Sequence, residues 1–173
     1  ANQEAIARTK YGVECADEVL TAAGKPALEF YDAGNANKYL VDLNGTWSNT
    51  ASFDYMQTIL AQYNEANGNM VELVICNNDD MALAAARTAK DNPNYAKTIF
   101  LGFDGQKSAV EAVLNGELTM TAAQNNFDIG YKAVETIVKI LNGEEYGDVD
   151  TGTEIITKDN AQARLDNFAN WLK

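Results

Sequence analysis

An open α/β sheet is what this sequence predicts: doubly wound, mostly parallel, with helices on both faces. Three observations carry the prediction. Apolar runs of strand length alternate with amphipathic runs of helix length from one end to the other. Five of the strand-like runs pass straight into a polar residue or pair at the start of a helix. Those junctions hold carboxylates and amides instead of a glycine-rich phosphate loop. Ligands of open α/β sheets sit just beyond the carboxyl ends of the strands, so this chemistry suits a ligand covered in hydroxyl groups.

The first helix covers Gln3 to Ala23, with Ala5, Gly12, Ala16, Val19, Leu20 and Ala23 on one face; Gly24 and then Pro26 stop it. Ala27 to Tyr31 is a strand. Residues 32–45 read as a loop, and the alternation in Tyr39 to Leu43 allows an extra strand there. Ser48 or Asn49 caps a helix through about Ala66, with Met56, Ile59, Leu60 and Tyr63 inward, and Asn67-Gly68-Asn69 ends it. Strand Met70 to Cys76 runs into Asn77-Asn78-Asp79-Asp80 and a helix over 79–90, capped by Asn78 or Asp79. Asn92-Pro93-Asn94 is a turn. Strand 98–103 ends in Asp104 and leads to helix 107–115, whose Val110, Val113 and Leu114 are apolar. Strand 118–123 ends in Gln124-Asn125-Asn126 and leads to helix 127–142, stopped by Gly143. An acidic loop, a short strand over 154–156 and a last helix from Asp159 or Asn160 complete the chain. That helix aligns Ala161, Leu165, Phe168, Ala169 and Leu172.

The chain opens on a helix, so the strand that should precede it is expected to be absent. In a doubly wound sheet that strand lies between the second and third. Its absence would leave unpaired backbone groups on both neighbours, to be met by a second chain, a rearrangement or a further segment.

Composition narrows the function. The 173 residues, 46% apolar and 22% charged, suit one domain with a real core. No apolar run reaches membrane-spanning length, so no membrane insertion is expected. The net charge of −12 argues against nucleic acid. The chain has no histidine, which removes the commonest general base and zinc ligand. Cys15 and Cys76 read as buried small apolar residues in preference to a disulfide. The acidic pairs Asp79-Asp80 and Glu144-Glu145 read as capping and solvation, not catalysis.

Several polar residues have two readings. Asn77 and Asn78 cap a helix or reach across the sheet end to hydroxyls. Asp104 turns the chain or accepts from adjacent hydroxyls, and Gln124 serves as a hinge amide. Trp47 folds onto the core or stacks on the apolar face of a sugar ring. Arg8 offers a forked donor from the first helix.

Taken together and in order, Arg8-Thr9, Trp47, Val74-Ile75-Cys76-Asn77-Asn78-Asp79-Asp80-Met81-Ala82, Gly102-Phe103-Asp104 and Gln124-Asn125 resemble the periplasmic sugar-binding proteins of ABC transporters. The look is that of the galactose/glucose-binding branch, with ribose and xylose binders as relatives, and it covers only the C-terminal part of that family's chain. The resemblance implies that Arg8, Asn78 and Asp104 hydrogen-bond sugar hydroxyls, that Trp47 stacks on the pyranose, and that Gln124 reads a hydroxyl at the hinge. Asn2 and Glu4 fall near a His and an Asp ligand of the family but differ in type, which leaves the sugar open. Glu72 falls on a calcium-ligand position. The rest of that site would lie before residue 1, so calcium is admitted only in the intact protein and no cofactor is expected in this chain.

The resemblance further implies a domain plan: 1–124 a C-terminal lobe lacking its first strand, 125–150 a hinge crossing with a helix belonging to the other lobe, and 151–173 a return strand and terminal helix. It implies a non-enzymatic component of a sugar transporter that closes on a monosaccharide such as galactose or glucose. The partners would be an ABC permease or a chemoreceptor, and the missing N-terminal lobe or a second chain. The place would be outside the cytoplasm, in a periplasm or lipid-anchored at the cell surface. A LacI-like effector core lacking its DNA-binding segment shares the fold and is the alternative. A flavodoxin-like enzyme fits less well, without histidine, phosphate loop or cysteine pair.

Overall fold

A computed structural model describes residues 3–64, 66 and 70–171. Among them, helices α1 (Gln3–Ala22) and α2 (Asn49–Gln62) precede β1 (Leu73–Ile75) and α3 (Asp79–Ala89). A 3-10 turn, Pro93–Tyr95, leads to β2 (Ile99–Asp104), α4 (Lys107–Asn115) and β3 (Met120–Gln124). Then come α5 (Asn126–Asn142), β4 (Thr153–Ile156) and α6 (Ala161–Trp171). The strands form one open mixed sheet in the order β1-β2-β3-β4. β1, β2 and β3 are parallel, and β4 runs antiparallel to β3 with Ala123 opposite Glu154 and Gln124 opposite Thr153.

Local chemistry sets the helix ends. Ser48 caps α2 by accepting from the Thr50 N–H, and Asn78 caps α3 by accepting from the Met81 N–H. Gly116 and Gly143 close α4 and α5 in the left-handed conformation, each N–H returning to carbonyls of the last turn. α3 buries Ala82, Leu83, Ala85, Ala86 and Ala89, and this small-residue face lets Met56 and Ile59 of α2 pack closely. Phe100, Val110, Val113, Leu118 and Ile156 join α4 and the sheet to the same core.

Several expectations are corrected. Residues 27–31 form no strand: the Leu28 N–H is taken by Asp17 Oδ1 of α1 at 2.6 Å, and Tyr31 meets Tyr63 edge-on. β1 is three residues long, not seven, because β2 is its sole ladder partner among the described residues. Its other edge is open, and Ile75 is correspondingly exposed. The strand allowed at Tyr39 to Leu43 is absent. There Asp42 draws the chain into a turn, accepting from the N–H groups of Asn44, Thr46 and Ser48 and from the Thr46 hydroxyl. α2 stops at Tyr63, whose N–H returns to the Ile59 carbonyl; the stop expected at Asn67-Gly68-Asn69 lies outside the described residues.

α1 and α5 contain no buried residue. Val19 and Cys15, expected inside, are exposed, since the described sheet leaves little surface for α1 to cover. Cys76 is half-buried and not in a disulfide, and burial lifts its thiol to about 12. Phe127, Tyr131, Val134, Ile137, Val138 and Leu141 give α5 an exposed apolar surface. Ala169 is exposed on α6, and Leu172 lies outside the described residues. No helix among the described residues is long and apolar enough to cross a membrane.

Candidate functional site

The carboxyl ends of β1, β2 and β3 bring four of the sequence candidates together. β1 delivers Asn77 and Asn78 to the start of α3, β2 ends in Asp104, and β3 ends in Gln124. The first half of α1 lies across these ends and contributes Arg8. Its guanidinium Nη1 donates to the Asn77 carbonyl at 2.8 Å and to Asp104 Oδ1 at 3.2 Å. The same guanidinium lies over the Phe103 ring, 3.8 Å from the centroid, and 5.9 Å from the Trp47 ring. Asp104 Oδ1 also accepts from Gln124 Nε2 at 2.8 Å. One carboxylate oxygen therefore joins an arginine from α1 and an amide from β3.

Arg8 and Asp104 keep 14% and 25% of their side-chain surface, so the pair is shielded yet reachable. Arg8 Nε is buried with no hydrogen-bond partner among the described residues. Such a donor carries a desolvation cost of about 1–3 kcal/mol until an acceptor reaches it. Asp104 has φ +117°, a conformation a residue with a Cβ rarely holds. Trp47, with φ +56°, is a second bulky residue in the left-handed region. The Asp42 carboxylate fixes its backbone from both sides through Thr46 and Ser48, at 3.1 and 3.0 Å.

Asn78 is more committed than a free ligand amide. Its oxygen caps α3 at 2.9 Å and its Nδ2 donates to the Trp47 carbonyl at 3.2 Å, leaving one proton and one lone pair. It ties the tryptophan loop to the sheet end. Asn77 instead braces α1, donating to Thr9 Oγ1 at 2.8 Å and to the Ala5 carbonyl. Glu4 is exposed in the first turn of α1, and Asn2 lies outside the described residues. Glu72 is exposed just ahead of β1, at the end of the strand away from the site. No cluster of three or more carboxylate, cysteine or histidine groups able to hold a metal forms among the described residues, Glu72 included.

Beneath the site sits Asp79, fully buried, accepting from Thr121 Oγ1 at 2.6 Å and from the Gln106 N–H at 2.7 Å. It thereby binds α3, β3 and the start of α4 to one carboxylate. Burial pushes its pKa up to about 6; the Asp104 charge adds to the rise, and the bonds from Thr121 and Gln106 oppose it. Gly102 makes room for it, since a Cβ there would stand 2.3 Å from Asp79 Oδ1.

Sequence reasoning did not single out Phe103 as the platform under Arg8, or Arg164 of α6. Arg164 is 5% exposed, donates from Nη2 to the Gln124 carbonyl at 2.8 Å, and pairs with Glu154 at 3.4 Å. Its position three residues after buried Ala161 and four before Phe168 puts it on the inward stripe, a signal available in the sequence.

A profile of the periplasmic binding protein domain matches residues 2–145. The ribose import binding protein of Salmonella typhimurium is 33% identical over 127 residues, 72% of this chain and 41% of the relative. The D-apiose import binding protein of Paraburkholderia graminis is 30% identical over 129 residues, 73% and 39% of the two chains. A solute-binding protein of an ABC transporter from Bacillus halodurans, solved with bound myo-inositol, superposes with a TM-score of 0.61 at 26% identity, covering 69% of this chain and 40% of that one. The chain spans about two fifths of the length of the curated relatives it matches.

Proposed function

The chain belongs to the periplasmic binding protein domain family, and on that premise we propose that it is the C-terminal lobe of the substrate-binding component of an ABC sugar transporter. It grips a monosaccharide and does not alter it chemically. The observation that carries this reading is the Arg8–Asp104–Gln124 cluster at the strand ends, with a buried Arg8 Nε that has no acceptor among the described residues. A ring hydroxyl both accepts from such a donor and donates to a carboxylate oxygen. Trp47 supplies the apolar platform for one face of the ring. Asn78 and Glu4 complete the proposed ligand set, and Asn2, also part of it, lies outside the described residues.

Residues 1–124 and 151–173 form the gripping lobe, and 125–150 cross to a second lobe, on the same polypeptide or a separate chain. The exposed apolar face of α5 is the surface that second lobe covers. Closure of the two lobes presents the loaded form to a permease or a chemoreceptor. The protein works outside the cytoplasm, in a periplasm or lipid-anchored at the surface. The relatives' names favour a pentose; the resemblance of Arg8, Trp47, Asn78 and Asp104 to the galactose/glucose branch makes galactose or glucose the finer reading.

Half a clamp binds weakly, so the test is a titration of the 173-residue chain followed by amide NMR with ribose, galactose and glucose. Shifts confined to Arg8, Trp47, Asp104 and Gln124, with Kd on the order of 1 mM or weaker, support the reading. No shift at these residues with any of the sugars overturns the site. Micromolar affinity in this chain alone overturns the half-clamp account.

A further inference from the structure

We propose that Arg164, on the terminal helix, is a positioning residue that locks Gln124 at the corner where the chain leaves the sheet. Gln124 is the last residue of β3, and its side chain supplies the amide proton that Asp104 accepts. The β2 ladder ends one residue earlier, at Asp104 opposite Ala123, so β2 does not hold the Gln124 backbone. Among the described residues only β4 pairs there, with Thr153 opposite Gln124, and Asn125 then turns the chain into α5. The Gln124 carbonyl is gripped from outside the sheet by Arg164 Nη2 at 2.8 Å, across 40 residues of sequence.

The grip is itself held rigid. Arg164 is 5% exposed, its guanidinium lies 5.3 Å from the Phe168 ring, and its Nη1 reaches Glu154 of β4 at 3.4 Å. The start of α6 is pinned to the end of β4, because Asn160 accepts from the Thr157 N–H at 2.8 Å and donates to the Ile155 carbonyl at 2.9 Å. A polar chain thus runs Arg164, Gln124, Asp104, Arg8. Its first member belongs to the returning segment and its last to the opening helix. Movement of the crossing strands against α6 is transmitted to the side chain that Asp104 holds. Arg164 is the residue that couples the two.

The inference rests on the reading of Gln124 as part of the sugar site, but its test needs no sugar. In the 173-residue chain, Arg164→Met keeps the length and apolar stem and removes the donor. The expected result is a folded protein in which the Gln124 side-chain amide signals move toward free-glutamine positions. Their solvent exchange should quicken by about tenfold, the factor for one hydrogen bond. Arg164→Lys restores part of the shift, which a loss of packing alone would not allow. A folded Arg164→Met chain with unmoved Gln124 signals overturns the proposal. Should that variant not fold, the wild-type chain decides it. Slow rotation and slow exchange at Arg164 Nη2 are expected from a fixed bond to the Gln124 carbonyl, and fast averaging there overturns it. Absence of sugar-induced shifts would remove the sugar reading and leave these readouts unchanged, so the two failures are distinguishable.

Discussion

The buried carboxylate of Asp79 gives the fold an unusual pH dependence. Its pKa rises from an ordinary 3.8 to about 6, chiefly through burial. A folded-state pKa above the unfolded one means that the folded chain holds the proton more tightly. The group's favourable contribution is therefore fully present below about pH 4 and is lost as pH rises through about 6. A shift of about two units corresponds to about 3 kcal/mol. Asp104 faces Asp79 from the end of β2 and Asp80 adjoins it on α3, while Arg8 binds Asp104 on the far side. Replacing Asp79 by Asn keeps the shape and removes the titration. The amide oxygen accepts from the Gln106 N–H and Nδ2 donates to Thr121 Oγ1, whose hydroxyl turns to accept. Urea unfolding of both chains from about pH 4 to about pH 7 isolates the group, because every other carboxylate is common to both. The wild-type chain should lose about 3 kcal/mol relative to Asp79→Asn across that window. A stability difference that stays flat, or that grows in favour of the wild type as pH rises, refutes the reasoning.

Other perturbations follow from the same geometry. Asp104→Asn removes the neighbouring charge, so the Asp79 titration, followed by carboxyl carbon NMR, should move below its wild-type position. Gly102→Ala drives a Cβ into the buried Asp79 carboxylate and should cost about 2–3 kcal/mol in urea unfolding. Tyr95→Phe strips the hydroxyl that donates to the Tyr63 carbonyl, where α2 ends, and should cost about 1–2 kcal/mol. Leu141→Glu, on the exposed face of α5, should leave the unfolding free energy within about 0.5 kcal/mol of wild type, and sedimentation runs should show the variant associating no more than wild type at any concentration.

Much of this was legible from residues alone. A cap at Asn78 or Asp79, which the structure resolves to Asn78, the apolar residues of α4 and the strand ends at Asp104 and Gln124 follow from period and capping chemistry, which act over a few residues. The strand expected at 27–31 was not legible as absent, because its apolar pattern is local while a strand exists only with a ladder partner. Val19 misled because helical spacing identifies a face but not what lies opposite it, and Cys15 because the usual burial of a free cysteine says nothing of what covers this one. In the site, Arg8, Asp104 and Gln124 do converge. What the sequence could not assign was the division of labour between the two asparagines, Asn77 bracing α1 and Asn78 tying down the Trp47 loop. That division depends on contacts between residues 31 and 68 positions apart.

The first helix has no buried residue, and its hold on the strand ends runs through Arg8, Thr9 and Ala5. Local opening of such a segment costs far less than unfolding the sheet it rests on. The guanidinium leaves with the helix, so the Arg8–Asp104 pair opens before the fold does. A thermal scan that follows sheet signal alone would overstate the range in which the Arg8–Asp104–Gln124 cluster stays assembled. The temperature at which α1 amides lose their exchange protection sets that range instead.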